Sequence, residues 1–564
     1  MASINFLLKD LEDQGFDMAL LEILVPKIGM EIEKNDDNEV VIDITPNRPD
    51  LMDFTGFVRA LNALAPSIEG KKQSRAIRKN IYEIKNRALA NLHIDKKTKK
   101  IRPFISMIIA KNVNLKNNRL QYLLNFSEKL SDTLGRKRKK FAVGMYDFDK
   151  ITPDLFYNAV HDAKFAPLGN GTEMSISEIL DKHEKGIKYK SIFDSINGRG
   201  SLFPILKDSE RILSLVPIVN SEYAKVTENT KSILLDITGT SEQGVQQAMN
   251  IFICSFIDSG SEVYPVNVYY DNKTNIMPTL EHRQIKINAK KACKKLGINI
   301  SSNDAARLLE MMGYSTEVNN GSIIAHIPEF RSDIFNSQDV IEDIAIAYGY
   351  DNITAKPIEG NFESSVDKIR ERTNEISTFM IGLGFSEVVN TYLTNEKLNF
   401  ENMQINVLDK KNTVTILNAK TEAITMLRTD LLPGILNNLG ASLTEKMPQK
   451  LFEVGSVFSL ENSNKVHEQL RLAFASEHAK ANFSEIKAYI DSLLKLMGIE
   501  DITFKEEKSS MFIEGRCAIA MSGNKKIGIF GELHPKVLNA FRLEEPTVAA
   551  EITIHEKIEY QFSI

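Results

Sequence analysis

Asp333, Asp339, Glu342 and Asp343 form the sharpest chemical constellation in this 564-residue sequence. On a helix, positions 339, 342 and 343 fall at i, i+3 and i+4, so three carboxylates share one face, with Asp333 just upstream. Oxygen ligands crowded in this way suit Mg²⁺, which takes few carboxylates and keeps its waters. A solvated acidic helix start, favoured by the macrodipole, accounts for the same residues without a metal. Basic clusters offer a second chemistry. Arg136, Lys137, Arg138, Lys139 and Lys140 follow Gly135 in an unbroken run, and residues 71–102 are rich in Lys and Arg against only Glu83 and Asp95. Such clusters neutralise phosphates and steer RNA, while a solvated linker face explains the longer one equally well. Nucleophilic catalysis has no signature: there is no Gly-x-Ser-x-Gly, and no Ser or Cys stands by a His in a recognisable arrangement. Gly198-Arg199-Gly200 is an isolated and weak phosphate-loop signal.

The elements that must position these groups are many. The length predicts roughly three to five domains. A hydrophobic share of 43% with 26% charged residues is that of a soluble globular protein. Cys254, Cys293 and Cys517 lie far apart, which excludes a disulfide framework or a Cys-x-x-Cys zinc site and fits a reducing, cytoplasmic setting. The polar start is no signal or transit peptide, and the longest apolar runs fall short of a bilayer span. A net charge of −5 confines any nucleic-acid affinity to local patches.

The pattern predicts an α+β multidomain chain. Residues 1–70 read as a small α/β unit, with the strand-like EVVIDI (Glu39–Ile44) followed by TPNRPDL, where Asn47 and Asp50 suit turn and cap positions. Residues 71–100 read as a basic linker. Short β-rich runs between helices over 101–267 predict one compact α+β domain, including a helix over Asn117–Leu134. Residues 270–350 hold two helical stretches, a hairpin with Asn-Gly at its turn and a final acidic helix, a winged-helix-like layout. Residues 356–564 open with an amphipathic helix and continue as antiparallel strands with helices.

Five segments carry a resemblance. VIDITPNRPDLMDFTGFVRALNAL (Val41–Leu64) is similar to the N-terminal signature of phenylalanyl-tRNA synthetase β subunits. EKLSDTLGRKRKKFAVGMYDFDKI (Glu128–Ile151) and ILSLVPIVNSEYAKVTENTKSILLDITGT (Ile212–Thr240) resemble the archaeal and eukaryotic form of that family's editing domain. PEFRSDIFNSQDVIEDIAIAYGYDNI (Pro328–Ile353) resembles a further module of these β chains, and LFEVGSVF with FGELHPKVLNAF resembles a class II synthetase-like sheet domain. The five occur in family order over nearly the whole length.

The resemblance implies a subunit of an α₂β₂ heterotetramer that binds tRNA(Phe), with ATP used at the α subunit and Mg²⁺ held by Asp333, Asp339, Glu342 and Asp343 together with that subunit. It also implies an editing pocket within 101–267. A synthetase for phenylalanine must refuse tyrosine, and apolar pockets reject an added hydroxyl only about a hundredfold, so a second, hydrolytic site is expected. Asp236 and Ser214 are the candidates for contact with the phenolic end, with Asn220 and Thr238 as walls or water anchors. Where the family often reads Pro-Pro-Ile-Ile-Asn-Gly, this chain has Val216–Ser221, which alters how closely backbone approaches the ester. After Glu453 no pair of arginines stands in the class II pattern for ATP; Arg428 and Arg516 lack the context. The last domain is therefore expected to be a scaffold. An inert RNA-binding subunit with a decayed pocket is the competing expectation.

Overall fold

The fold, a computed structural model, describes residues 2–35, 38–65, 82–194, 202–270, 273–280, 282–358, 360, 364–405, 412–442, 444–460, 465–499 and 501–555. Part of the basic run (Lys71, Lys72, Arg75, Arg78, Lys79) and Gly198–Gly200 lie outside these residues. The chain divides into two compact units, Met1–Ile358 and Glu359–Ile564. Both mix helices and sheets, as the sequence pattern predicts.

The first unit begins with a three-stranded antiparallel sheet in which Glu39–Ile44 is central, between Ala2–Leu7 and Glu31–Asn35. The alternation of EVVIDI is realised: Val40, Ile42 and Ile44 are fully buried. TPNRPDL then turns the chain. Its prolines fix φ, a 3₁₀ turn forms over Pro49–Met52, and the helix Phe54–Leu64 starts on Asp53, whose side chain accepts the Gly56 amide at 3.0 Å. The cap is thus Asp53 and not Asp50. Asp50 is buried, and Arg48 donates to both its oxygens at 2.9 Å. Arg59 stands 3.6 Å from the same carboxylate, pairs with Asp258 at 2.5 Å and lies 3.6 Å over the Phe330 ring. Burial alone would raise the Asp50 pKa, but the guanidiniums of Arg48, Arg59 and Arg331 outweigh it and hold it below its ordinary value.

Two sheets packed face to face follow. The larger has seven strands in the order Val219–Asn220, Ile212–Leu215, Phe203–Lys207, Asp154–Val160, Asn91–Ile94, Val266–Tyr270, Lys273–Met277. The smaller has four: Glu262–Tyr264, Phe104–Lys111, Ser232–Gly239, Phe141–Asp147. Leu92, Leu155, Tyr157 and Val268 from the first meet Met107, Ile109, Tyr146 and Leu234 from the second. Helices Arg119–Asp132 and Glu242–Asp258 cover the far side of the smaller sheet. Asn91–Ile94 belongs to this sheet although the sequence placed it in a linker. Its four residues are too few to show a period, and long-range parallel pairing with Asp154–Val160 and Val266–Tyr270 supplies what the local pattern lacks.

The unit continues as a three-stranded sheet (Arg283–Asn288, Ser315–Asn319, Ser322–Ile327) carrying helices Ala289–Leu296, Ser302–Met311 and Ser337–Tyr348. Ser301 caps the second helix, and Asn320-Gly321 makes the hairpin turn with positive φ at both residues.

The second unit is built on a seven-stranded sheet, antiparallel except at its short edge strand Ser386–Glu387. Helices Lys368–Gly382 and Phe483–Leu496 pack on one face, Leu432–Ala441 and Pro535–Phe541 on the other.

Truncating Asp50 leaves Arg48 and Arg59 buried without their shared counter-charge, which costs about 3–5 kcal/mol for pairs of this kind. Asp50→Ala should lower the denaturant midpoint of the first unit's unfolding sharply, whereas Lys97→Ala on the exposed surface should leave it in place.

Candidate functional site

A cavity of about 370 Å³ opens between the two sheets at the Phe141–Asp147 edge, with helix Arg119–Asp132 closing one side. The strand Ser232–Gly239 alternates: Ile233, Leu235 and Ile237 face the helices, so Asp236 and Thr238 face the cavity. In register beside them on Phe141–Asp147 stand Gly144 and Ala142, with Tyr146 next along. Ser214, Asn220 and Ser221 come from the edge of the larger sheet. The structure therefore brings Ser214, Asn220, Asp236 and Thr238 to one cavity, two from each sheet.

Asp236 is the centre of the wall that the smaller sheet forms. Its side chain is buried, and Oδ1 has no hydrogen-bond partner among the described residues. The neighbouring Tyr146 hydroxyl has a single proton and donates it to Ser214 Oγ at 2.9 Å. Burial raises the Asp236 pKa to about 6, against the pull of Tyr146 and of the buried Arg102. Arg102 donates to Thr238 Oγ1 at 3.0 Å and to the Thr238 carbonyl at 2.6 Å, and burial pushes its pKa down to about 10. Gly144 makes the arrangement possible: a Cβ there would lie 2.3 Å from Asp236 Oδ1 and 2.6 Å from the Tyr146 hydroxyl. Asn220 donates to the Met145 carbonyl at 3.2 Å, which fixes its amide across the gap. Ser221 takes its place without strain, its hydroxyl donating to the Ala166 carbonyl at 3.3 Å.

The basic run divides. Arg136, Lys137 and Arg138 all have left-handed backbone, with φ of 51°, 53° and 65°. Arg138 turns inward onto the cavity wall, donating to the Pro217 and Ile218 carbonyls at 3.1 and 2.9 Å and to Glu128 at 3.2 Å. Arg136, Lys137 and Lys139 are exposed and Lys140 is half-buried.

The acidic constellation does not converge. Asp333 accepts both arms of the buried Arg331 at 2.8 Å. Asp343 pairs with the same guanidinium at 2.8 Å and accepts the Tyr314 hydroxyl at 2.6 Å. Asp339 is spent on the helix start, accepting the Phe335 and Asn336 amides at 2.7 and 2.8 Å. Glu342 is exposed. Among the described residues no three His, Cys, Asp or Glu side chains are grouped to hold a metal. Three of the four carboxylates already have cationic or amide partners, so the donor set as arranged does not fit a magnesium ion. Arg331 is what the spacing of the acids could not reveal.

In the second unit a cavity of about 690 Å³ lies on the sheet face carrying Arg471, which sequence reasoning passed over. Its guanidinium pairs with Asp430 at 2.8 Å and Glu551 at 2.9 Å. Arg428 is buried against Glu453 at 2.6 Å, and Arg516 pairs with Glu532 at 2.5 Å.

These features have counterparts in known proteins. Residues 285–350 match the family described as tRNA synthetase B5 domain, and residues 353–554 match phenylalanyl tRNA synthetase beta chain CLM domain. These are modules of aminoacyl-tRNA synthetases, and that is the class the chain falls in. A phenylalanine–tRNA ligase β subunit of Methanococcus maripaludis is 33% identical over 98% of each chain. That of Archaeoglobus fulgidus is 34% identical over 96% of this chain and 95% of its own. The crystal structure of an N-terminal fragment of the Pyrococcus horikoshii β subunit covers 62% of this chain and all of its own, at 31% identity and a TM-score of 0.57. The chain belongs to the phenylalanine–tRNA ligase β-subunit family.

The folded state holds the Asp236 proton up to about pH 6, whereas a free side chain releases it near 3.8. The stability this group contributes is therefore complete below the lower value and lost as pH rises through the higher one. Asp236→Asn should be more stable than wild type at pH 8, by on the order of 3 kcal/mol, and equal to it near pH 4, as read by thermal melts across pH.

Proposed function

We propose that the chain works with a catalytic α subunit as an α₂β₂ phenylalanine–tRNA ligase, and that its inter-sheet cavity hydrolyses tyrosine wrongly attached to tRNA(Phe). One observation carries this reading: the buried carboxylate oxygen Asp236 Oδ1 stands in the cavity wall with only the Tyr146 hydroxyl beside it, and that hydroxyl's proton goes to Ser214. A tyrosyl phenol supplies the missing proton donor. A phenylalanyl ring would bring only C–H and leave the carboxylate unpaired, which is the discrimination that an apolar pocket alone does not reach. With its pKa near 6, Asp236 is ionised and accepting at neutral pH.

The Ser and Thr hydroxyls of the cavity have no His beside them to take their proton, and water is the attacking group in this reading. This chain's residues hold the side chain of the misplaced amino acid and set the ester against Asn220 and Thr238. Arg138, Lys185 and Lys225 contribute positive charge where the tRNA end must enter. The exposed Arg136, Lys137 and Lys139 extend that charge outward.

Amino-acid activation is assigned to the α subunit, where ATP is used. Arg428, Arg471 and Arg516 all face carboxylates in the second unit, so none is left to neutralise a triphosphate. With Asp333 and Asp343 committed to Arg331, no step is routed through magnesium on this chain.

Losing a hydrogen bond to a charged group costs about 10- to 100-fold in rate. Asp236→Ala in the assembled enzyme should slow deacylation of Tyr-tRNA(Phe) by that factor while phenylalanine charging stays normal. Undiminished deacylation would remove Asp236 from the site, and a wild-type complex that does not deacylate would mark the chain as an inert RNA-binding scaffold.

A further inference from the structure

The seven-stranded sheet has a second face. Helices Ile176–Lys182 and Glu184–Tyr189 pack over its Phe203–Lys207 and Ile212–Leu215 end, around Ile205, Leu215 and Val219. Toward the other end, three rings stand in one registered row. Phe156 pairs with His93 and His93 with Tyr269 across adjacent strands. Their rings are stacked at 5.1 Å and 20° for the first pair, and 4.8 Å and 12° for the second. The row continues to Lys207, in register with Phe156 and with its ammonium 5.5 Å from that ring. At the opposite end the registered partner of Tyr269 is Thr274, a residue with no ring to extend the stack.

The row makes no core. The other face of the same strands carries the buried Leu92, Leu155 and Val268, while His93, Phe156 and Tyr269 are each only half-buried. A parallel polar row lies beside it: Asn91 donates to Asp154 at 2.8 Å and Asn267 to Asn91 at 3.0 Å. The strand bearing His93 runs directly into the 3₁₀ turn Lys96–Lys100, on which Lys97, Lys99 and Lys100 are exposed.

We propose that this sheet face is a stacking platform for an unpaired RNA segment, entered at the Tyr269 end and held by the lysine turn. Rings stacked across adjacent strands leave the outer ring able to accept a further flat π-face, and every nucleobase has one. Lysines at the strand end are complementary to the phosphates that link successive bases. A duplex hides the faces of its bases, so the rings select unpaired RNA. This site is separate from the inter-sheet cavity and does not depend on the editing assignment.

The test uses the assembled α–β enzyme and a fluorescent oligouridylate of about twelve nucleotides, followed by anisotropy at two salt concentrations. Tyr269→Ala should weaken binding about tenfold, and Tyr269→Trp should retain it. Lys97→Ala/Lys99→Ala/Lys100→Ala should weaken binding and flatten its salt dependence. Wild-type affinity in both the Tyr269→Ala and the lysine variant overturns the proposal. So does release of the α subunit by Tyr269→Ala with RNA binding intact, the result expected of a protein-docking face. Should Tyr269→Ala not fold, the lysine variant decides alone.

Discussion

Asp50 carries a full negative charge where almost no water reaches it, and three parts of the first unit converge on that charge. Arg48 and Asp50 belong to the turn that leaves the N-terminal sheet. Arg59 on the following helix reaches past Asp50 to Asp258, the last residue of a helix in the sheet-pair region. Its guanidinium also covers Phe330, just ahead of the acidic helix. Ser255 donates to the cap residue Asp53 at 2.6 Å, a further tie between the same two helices. The backbone is as constrained as the charges: a Cβ on Gly56 would sit 2.0 Å from the Asp50 carbonyl oxygen. TPNRPDL is thus a joint between these elements.

The cavity shows the opposite economy. Folded proteins satisfy nearly all buried polar atoms, yet Asp236 Oδ1 and an Arg102 Nη1 are left without partners there. Arg102 lies behind Thr238, which it holds through both hydroxyl and carbonyl. Unpaired acceptors and donors in one buried place are costly as core and useful as a receptor, because a ligand with matching groups regains what folding gave up.

Much of this was legible in the sequence where a local rule applies. The strand EVVIDI, the Asn-Gly hairpin, the Ser301 cap and the helix over Arg119–Asp132 all obey periodicity or capping, and the four polar candidates do line one cavity. What failed was whatever depended on a distant partner. The acidic constellation was spaced correctly for a shared face, but Arg331 and Tyr314 intercept two of its members and the helix start takes a third. Arg138 looked like a surface phosphate ligand until three left-handed residues turned it inward. Arg471 carries no recognisable motif, since Asp430 and Glu551, which neutralise it, are 41 and 80 positions away in the chain. Gly144 is the one missed residue with a signal: a glycine inside a strand pattern announces a close neighbour.

That left-handed turn has a bearing on how the chain tolerates change. Residues with a β-carbon are disfavoured in this region by roughly 1–2 kcal/mol apiece, and glycine is free of the penalty. Arg136 and Lys137 occupy it with side chains that reach solvent rather than any interior contact. Selection for a sturdier fold alone would drift these two positions toward glycine. Glycine at either position would relieve that cost and remove a cation in the same step, so the turn sets its charge against its backbone ease.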